Sequence, residues 1–466
     1  MHNNYLKLKI SLIAAFSALF ITSALFAQTD DLSKLITGVT ETAGFTYSNF
    51  VSGNLKAQYE GRWAGDEDDQ DLYQYLRFRT KSFFKDKVTI AGSGRLSEDI
   101  DGHEPKDGAF RDILDTYDHS INGRFYYLYA DIKNPVINNS SLRVGRQYQY
   151  SVETILFDGV RYEQQIGPVA TYAFGGLRVS QYEDTYFDSV AGGGVAARPF
   201  VDTRTNLDYI RIMGDVESDD EIGVSLWQRI YEDVHFYGRY TMLNNLPKDY
   251  LLKFSWDKID WDTSIQLSYF RFVHSMNDQS NNISPFFDIL GTFESFDLIS
   301  MTGYKGFGEK FGISSGMDFR NVIDNNDEDT FNRDYNRAYL SLTIQNVLLK
   351  ESQASFTAEY WNVEGFDRNT SLGIDLEKKI GKFEVSAGTS YSYYKYNYTG
   401  SNDLVSILDN ETARDIEQKI NVRNYYSRIK YHLTEKSHIS MRWSTEVSDT
   451  DPETFHQALI SFSTNF

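Results

Sequence analysis

The chain reads as an all-β protein, a transmembrane antiparallel β-barrel of about 22 strands, and three features of the sequence lead there. Apolar and polar residues alternate with period two over many segments of roughly ten residues. Short turns alternate with long polar connections, the rhythm of a barrel with one set of turns on the near side of a membrane and loops on the far side. An export signal stands ahead of all of them. Composition agrees: the 466 residues include 33 Tyr and 32 Phe but only seven Pro, suiting strands with aromatic belts at two water–lipid boundaries. The mean hydropathy of −0.46 resembles that of a soluble protein, yet a barrel hides its apolar residues in every second position.

At the N-terminus, Lys7 and Lys9 precede an uncharged apolar run from Ile10 to Phe26, with Ala27 before the expected cleavage site. Residues 1–27 therefore read as a signal peptide for the Sec pathway, too short to be a membrane anchor of ~20 apolar residues. Residues 28–53 read as a periplasmic segment with a short helix, in which Leu32, Leu35, Ile36 and Val39 share a helical spacing. Its alternative is a plug entering the barrel. Residues 54–466 read as one barrel with no separate soluble domain.

Within 54–466 the clearest strands are Val88-Thr-Ile-Ala-Gly, Ser264-Ile-Gln-Leu-Ser-Tyr, Phe311-Gly-Ile-Ser-Ser-Gly-Met, Ala338-Tyr-Leu-Ser-Leu-Thr-Ile, Phe383-Glu-Val-Ser-Ala and Ile439-Ser-Met-Arg-Trp. In each, one parity is apolar and the other small or polar, as hydrocarbon on one face and water on the other require. Short turns fall at 84–87, 306–310, 378–382 and 434–437, and long loops at 99–122, 274–296, 322–334 and 400–418. Acids gather at 65–71, 215–221 and 324–329, on the side of the long loops. Counted from both ends, the strands disagree by one unless Ser189–Ala197, rich in glycine, is itself a strand. Including it gives 22, within a range of 18–22; 21 is odd and unsuited to a bacterial single-chain barrel. The last segment, Ala458 to Phe466, alternates and stops on an aromatic. In that it resembles the C-terminal signal of bacterial outer-membrane barrels, which implies assembly in the outer membrane.

Charge narrows the function. Without residues 1–27 the chain carries 44 basic and 66 acidic residues, a net charge of −22. That argues against a nucleic-acid partner, which calls for a basic surface. With no cysteine there is no disulfide framework, thiolate metal site or covalent haem attachment. The seven His residues beyond the signal segment are scattered, without a zinc-helix or nucleophile motif, so no enzyme is expected. The acidic loops offer oxygen ligands of the kind Ca²⁺ takes, but no EF-hand spacing; solvated acidic loop is the simpler reading.

Against this acidity, parity places Lys56, Arg62, Arg77, Arg79, Arg95 and Arg143 on the inner face of the early strands, and Arg428, Lys430 and Arg442 on that of the late ones. A barrel joins its first strand to its last, so the two groups become neighbours. Few inward acids, Glu60 and Glu446, are expected beside them. A basic wall raises the local concentration of anions; the plainer reading is a charge ladder that keeps the lumen wet.

The most specific string is Ser141-Leu-Arg-Val-Gly-Arg-Gln147 followed by Phe157-Asp-Gly-Val-Arg-Tyr162. It resembles the pattern of alginate-export-type bacterial porins, over some twenty residues, and implies a superfamily of barrels rather than a substrate. Arg143 and Gln147 fall on the inward parity and Arg146 on the lipid parity. For Arg146 three resolutions stand open: a bulge that turns it inward, a place at the rim, or pairing with acids to fix a loop.

Two functions follow as expectations. The first is a porin passing small hydrophilic, and by its basic wall anionic, solutes, alone or as a homo-trimer in the bacterial outer membrane. The second is a sheath around a multihaem cytochrome partner, which would have to bring its own haem. A receptor with a globular plug is disfavoured, since no long domain precedes the first strand.

Overall fold

The computed structural model describes residues 50–102, 110, 112, 114–116, 120–180, 188–214, 218–273, 294–323, 334–347, 349–363, 368–397, 417–449 and 453–466. The signal segment 1–27, the expected helix of the 28–53 segment, and much of the long connections 99–122, 274–296, 322–334 and 400–418 lie outside the described residues.

The strands are β1 (Val51–Ala64), β2 (Glu67–Thr80), β3 (Val88–Asp99), β4 (Ile121–Lys133), β5 (Ser140–Tyr150), β6 (Thr154–Ile166), β7 (Val169–Arg178) and β8 (Ser189–Ala197). They continue as β9 (Thr203–Met213), β10 (Ser218–Tyr231), β11 (Val234–Leu243), β12 (Leu246–Lys258), β13 (Thr263–Phe272), β14 (Phe296–Phe307) and β15 (Phe311–Val322). The last are β16 (Tyr335–Gln345), β17 (Ser352–Val363), β18 (Asn369–Ile380), β19 (Phe383–Asn397), β20 (Glu417–His432), β21 (Ser437–Val447) and β22 (Phe455–Asn465). All belong to one sheet, and β1 closes on β22 from Asn54 opposite Asn465 to Trp63 opposite His456. The fold is a closed 22-stranded antiparallel β-barrel. The glycine-rich segment Ser189–Ala197 is a strand, as the count of 22 required, and β1 starts at Val51, slightly ahead of the expected 54.

Turn chemistry explains the tightest joints. Asn244 and Asn245 join β11 to β12 with φ of 50° and 66°, the left-handed pair that a two-residue hairpin needs and that asparagine tolerates. Gly65, alone in the left-handed region at φ 55°, turns β1 into β2.

Contacts divide the chain into two compact units. In the first (Met1–Tyr126, Glu377–Thr389, Lys395–Phe466), hydroxyl and amide side chains tie the closing seam on one face: Ser440 to Ser461 at 2.7 Å, Asn54 to Ser463 at 3.0 Å and Gln457 to Glu60 at 2.7 Å. On the other face Trp63 stacks on Trp443, with ring centroids 5.8 Å apart. Exposed Leu76, Leu96, Ile429 and Met441 share that second face. An exposed apolar face on a closed sheet is the outer one, and it suits hydrocarbon.

The second unit (Tyr127–Leu376, Ser390–Tyr394) repeats the rule. Val144, Val160, Val224, Leu226, Leu252, Leu267, Met301, Met317 and Leu340 are exposed on its outer face. The alternation inverts toward the long-connection end. There Arg211 and Asp220 point outward and approach within 3.8 Å, and Arg271 stands 3.7 Å from Asp297. Inward at the same level lie Ile155, Phe157, Phe174, Val190, Ile210, Ile212, Leu243 and Phe272, all buried and packed together. Each such burial contributes about 1.5–3 kcal/mol. Tyr209 and Tyr269 mark the change on the outer face, donating to Asp220 at 2.5 Å and Asp297 at 2.7 Å. A tyrosine with its ring toward hydrocarbon and its hydroxyl toward a carboxylate is the expected interfacial residue.

Candidate functional site: the inner wall

The register of the first unit can be followed rung by rung. Lys56 faces Tyr75 and Ser463, Asn54 faces Arg77, Ser52 faces Arg79, and Tyr75 faces Arg95. Arg428 faces Arg442, and Lys430 faces Ser440, which faces Ser461. Lys56, Arg62, Arg77, Arg79, Arg95, Arg428, Lys430 and Arg442 thus share one face of the sheet, opposite the exposed leucines. Their surroundings differ. Lys430 lies 3.3 Å from Glu384, which His432 also contacts at 2.8 Å, and Arg428 lies 3.5 Å from Glu377. Lys56 donates to Gln58 at 2.5 Å and stands over Tyr75; Arg95 covers Tyr73 and Arg442 covers Tyr426. Among the described residues, Lys56, Arg77, Arg79, Arg95 and Arg442 have no carboxylate within 4.0 Å.

Arg62 belongs to the same face but is spent on structure. It is buried and contacts Asp69, with Asp112 at 2.9 Å and Asp71 at 3.4 Å. Asp69, Asp71 and Asp99 are inward acids beyond the Glu60 and Glu446 expected from sequence. The three carboxylates Asp69, Asp71 and Asp112 cluster tightly enough to hold a cation, and the guanidinium supplies that charge. Asp112 comes from the β3–β4 connection. Its neighbours Phe110 and Leu114 are buried, Phe110 packing against Phe455 with centroids 5.6 Å apart. Arg62 therefore pins a stretch of that connection to the wall.

The string singled out on β5 and β6 is a cross-strand device. Gly145 faces Gly159, which faces Gly176. A Cβ on Gly145, at φ 124°, would stand 2.3 Å from the Leu128 carbonyl oxygen, and one on Gly159 would stand 2.2 Å from that of Gly175. Only glycine permits this close approach. Gln147, fully buried beside the seam, donates to the Gly159 carbonyl at 3.1 Å. Arg143 points inward as expected but is matched by Asp131, at 2.7 and 3.1 Å, and covers the Tyr129 ring at 4.0 Å. Arg146 faces outward with Leu128 and Asp158 as its rung partners, and makes a two-pronged pair with Asp158 at 2.8 and 2.7 Å. Arg146 is thus paired, but with the facing acid of the neighbouring strand rather than with acids that fix a loop.

One arrangement has no signal in the sequence. The three-residue turn Ser151-Val152-Glu153 between β5 and β6 bends inward past β7–β9. Val152 joins the buried apolar cluster and touches the place where a Gly223 side chain would stand. Glu153 contacts Lys248 of β12, whose ammonium also lies 2.8 Å from Glu221 of β10. Lys248 and Glu221 are both buried, so the ion pair fixes the turn against β10–β12. Three separated glutamate and lysine positions cannot be matched by parity alone. Among the described histidines, besides His432, His456 lies 3.0 Å from Thr445 and packs on Trp443.

No family model and no curated protein matches the chain. Solved barrels resemble it in architecture at low identity. The translocation pore of the P pilus usher PapC has a TM-score of 0.48 at 9% identity, over 89% of this chain and 99% of that one. Pseudomonas aeruginosa OpdK with vanillate has a TM-score of 0.38 at 10% identity, over 89% and 98%. Pseudomonas aeruginosa OccD3 (OpdP) has a TM-score of 0.41 at 10% identity, over 89% and 91%. The alginate-export type is not among the three.

Proposed function

We propose that the chain is exported, loses residues 1–27, and serves in the bacterial outer membrane as a channel for passive diffusion of small hydrophilic solutes, with a preference for anions. The outer apolar face and polar inner face of a closed barrel support the channel. The observation that carries the anion preference is the set Lys56, Arg77, Arg79, Arg95 and Arg442, inward cations without a carboxylate partner among the described residues. Unmatched cations on a wet wall attract anions and oppose cations, an effect that salt screens over a Debye length of about 10 Å at 0.1 M.

The test is a reversal potential across a planar bilayer under a potassium chloride gradient. Anion preference is expected for the native chain, moving toward neutrality in Arg77→Ala with Arg79→Ala. Cation preference that the double substitution leaves unchanged would sink this reading.

The sheath around a multihaem cytochrome is the weaker alternative. A sheath needs an inner wall clear for its partner, whereas here the chain's own Val152, Glu153, Phe110 and Asp112 occupy parts of the inner face. The resemblance to alginate-export-type porins adds no substrate, because its residues on β5 and β6 are engaged in packing and pairing.

A further inference from the structure

On the inner face of the second unit, toward the long-connection end, two guanidinium groups occupy neighbouring positions in opposite circumstances. Arg337 of β16 lies against the rings of Tyr339 and Trp361, 5.2 and 5.0 Å from their centroids, and is matched by Glu359 at 2.6 Å and Asp318 at 3.3 Å. Arg320 of β15 lies over Phe296, 4.2 Å from its centroid, and faces Tyr335 across the strand pair. No carboxylate comes within 4.0 Å of it among the described residues. Its side chain is part-buried, and its Nε and Nη2, shut off from water, have no hydrogen-bond partner among the described residues. Asp334, which follows the β15–β16 connection, accepts instead from the Val322 backbone N–H at 2.6 Å.

A guanidinium with desolvated, unpaired nitrogens is in an unfavourable state that an oxyanion relieves, and its planar fork fits a carboxylate. The walls beside it are aromatic. Phe296 packs with Phe270 and Phe272, centroids 5.6 and 6.0 Å away, and Tyr335 packs with Trp361 at 5.3 Å. Such walls favour an apolar body and give a small, fully hydrated anion nothing to bury.

We propose that Arg320, Phe296 and Tyr335 form a binding site for a small organic oxyanion, a carboxylate carrying an apolar body. It deepens the channel reading by giving the solute a chemical class, and rests on that reading for the solute's route to the wall.

Calorimetric titration of the full chain in detergent tests it without requiring passage, with pentanoate as probe, pentanamide as its neutral counterpart and acetate as the charge without the body. The native chain is expected to bind pentanoate, acetate more weakly, and pentanamide not at all. Arg320→Met should weaken pentanoate by about tenfold or more, and Arg320→Lys, which keeps the charge and loses the fork, should fall between. Equal binding of pentanamide, no binding of pentanoate, or native affinity in both folded Arg320 variants would overturn the site. A barrel silent in the bilayer that still binds pentanoate through Arg320 would overturn the channel reading alone.

Discussion

At the scale of residues, position along a strand settles which charges are structural. Arg146 and Asp158 stand together on the outer face, and in the membrane proposed for this barrel neither would be tolerable there alone. An unpaired Arg near mid-membrane costs about 2–4 kcal/mol, and an acid less. Asp158→Ala, which strands the arginine, is therefore expected to destabilise the barrel more than Arg146→Ala. The double substitution should return most of the loss, as read from denaturant unfolding into lipid vesicles. Equal losses for both single variants, added together in the double, would contradict the pairing. The inward parity of Lys56, Arg77, Arg79 and Arg95 was legible because each sits among alternating apolar neighbours. The parity of Asp69 and Asp71 was not, because residues 66–71 are an unbroken polar run in which no face declares itself. The partnership of Arg62 with them was hidden for the same reason, and its Asp112 partner stands fifty residues away.

At the scale of elements, the turn between β5 and β6 does what its length conceals. Three residues look like a plain hairpin, yet Val152 reaches the β10 wall. The Val152 Cβ lies 3.4 Å from the place of a Cβ on Gly223, close to the ~3.5–4.5 Å that a disulfide spans. The chain has no cysteine of its own, so Val152→Cys with Gly223→Cys makes a clean probe. Oxidation should consume both thiols and shift the unheated band on a non-reducing gel. Two thiols that stay free after oxidation would place the turn away from the wall. The inversion near the long-connection end was partly legible: Ile210-Arg211-Ile212 breaks the outer pattern with a charge. What sequence could not supply was the reason. At the inversion β10 and β14, with 14 and 12 residues, exceed the ~9–11 that cross a bilayer. The surplus stands in water, outer face polar and inner face packed.

At the scale of the molecule, one requirement organised the whole reading: a closed sheet needs an even number of strands when its ends meet antiparallel. That arithmetic recovered β8, a strand whose run Gly192-Gly193-Gly194 carries little strand propensity. Closure brought the first strand beside the last, and with it Lys56 beside Ser463; within the β20–β21 hairpin Arg428 stands opposite Arg442. Like charges placed opposite one another weaken a sheet by a few tenths to about 1 kcal/mol, and Glu377, 3.5 Å from Arg428, offsets part of that here. Solute class was the part sequence did not reveal, since it depends on which arginines lack partners, a property of pairing in space.

The central claim is that this barrel is an open, water-filled path, and single-channel recording of the purified, refolded chain in a planar bilayer tests it most directly. Stepwise conductance from the chain alone, carried mainly by anions, is the expected result. A barrel that inserts but stays silent, and that co-purifies with a haem-bearing partner from its native membrane, would contradict it.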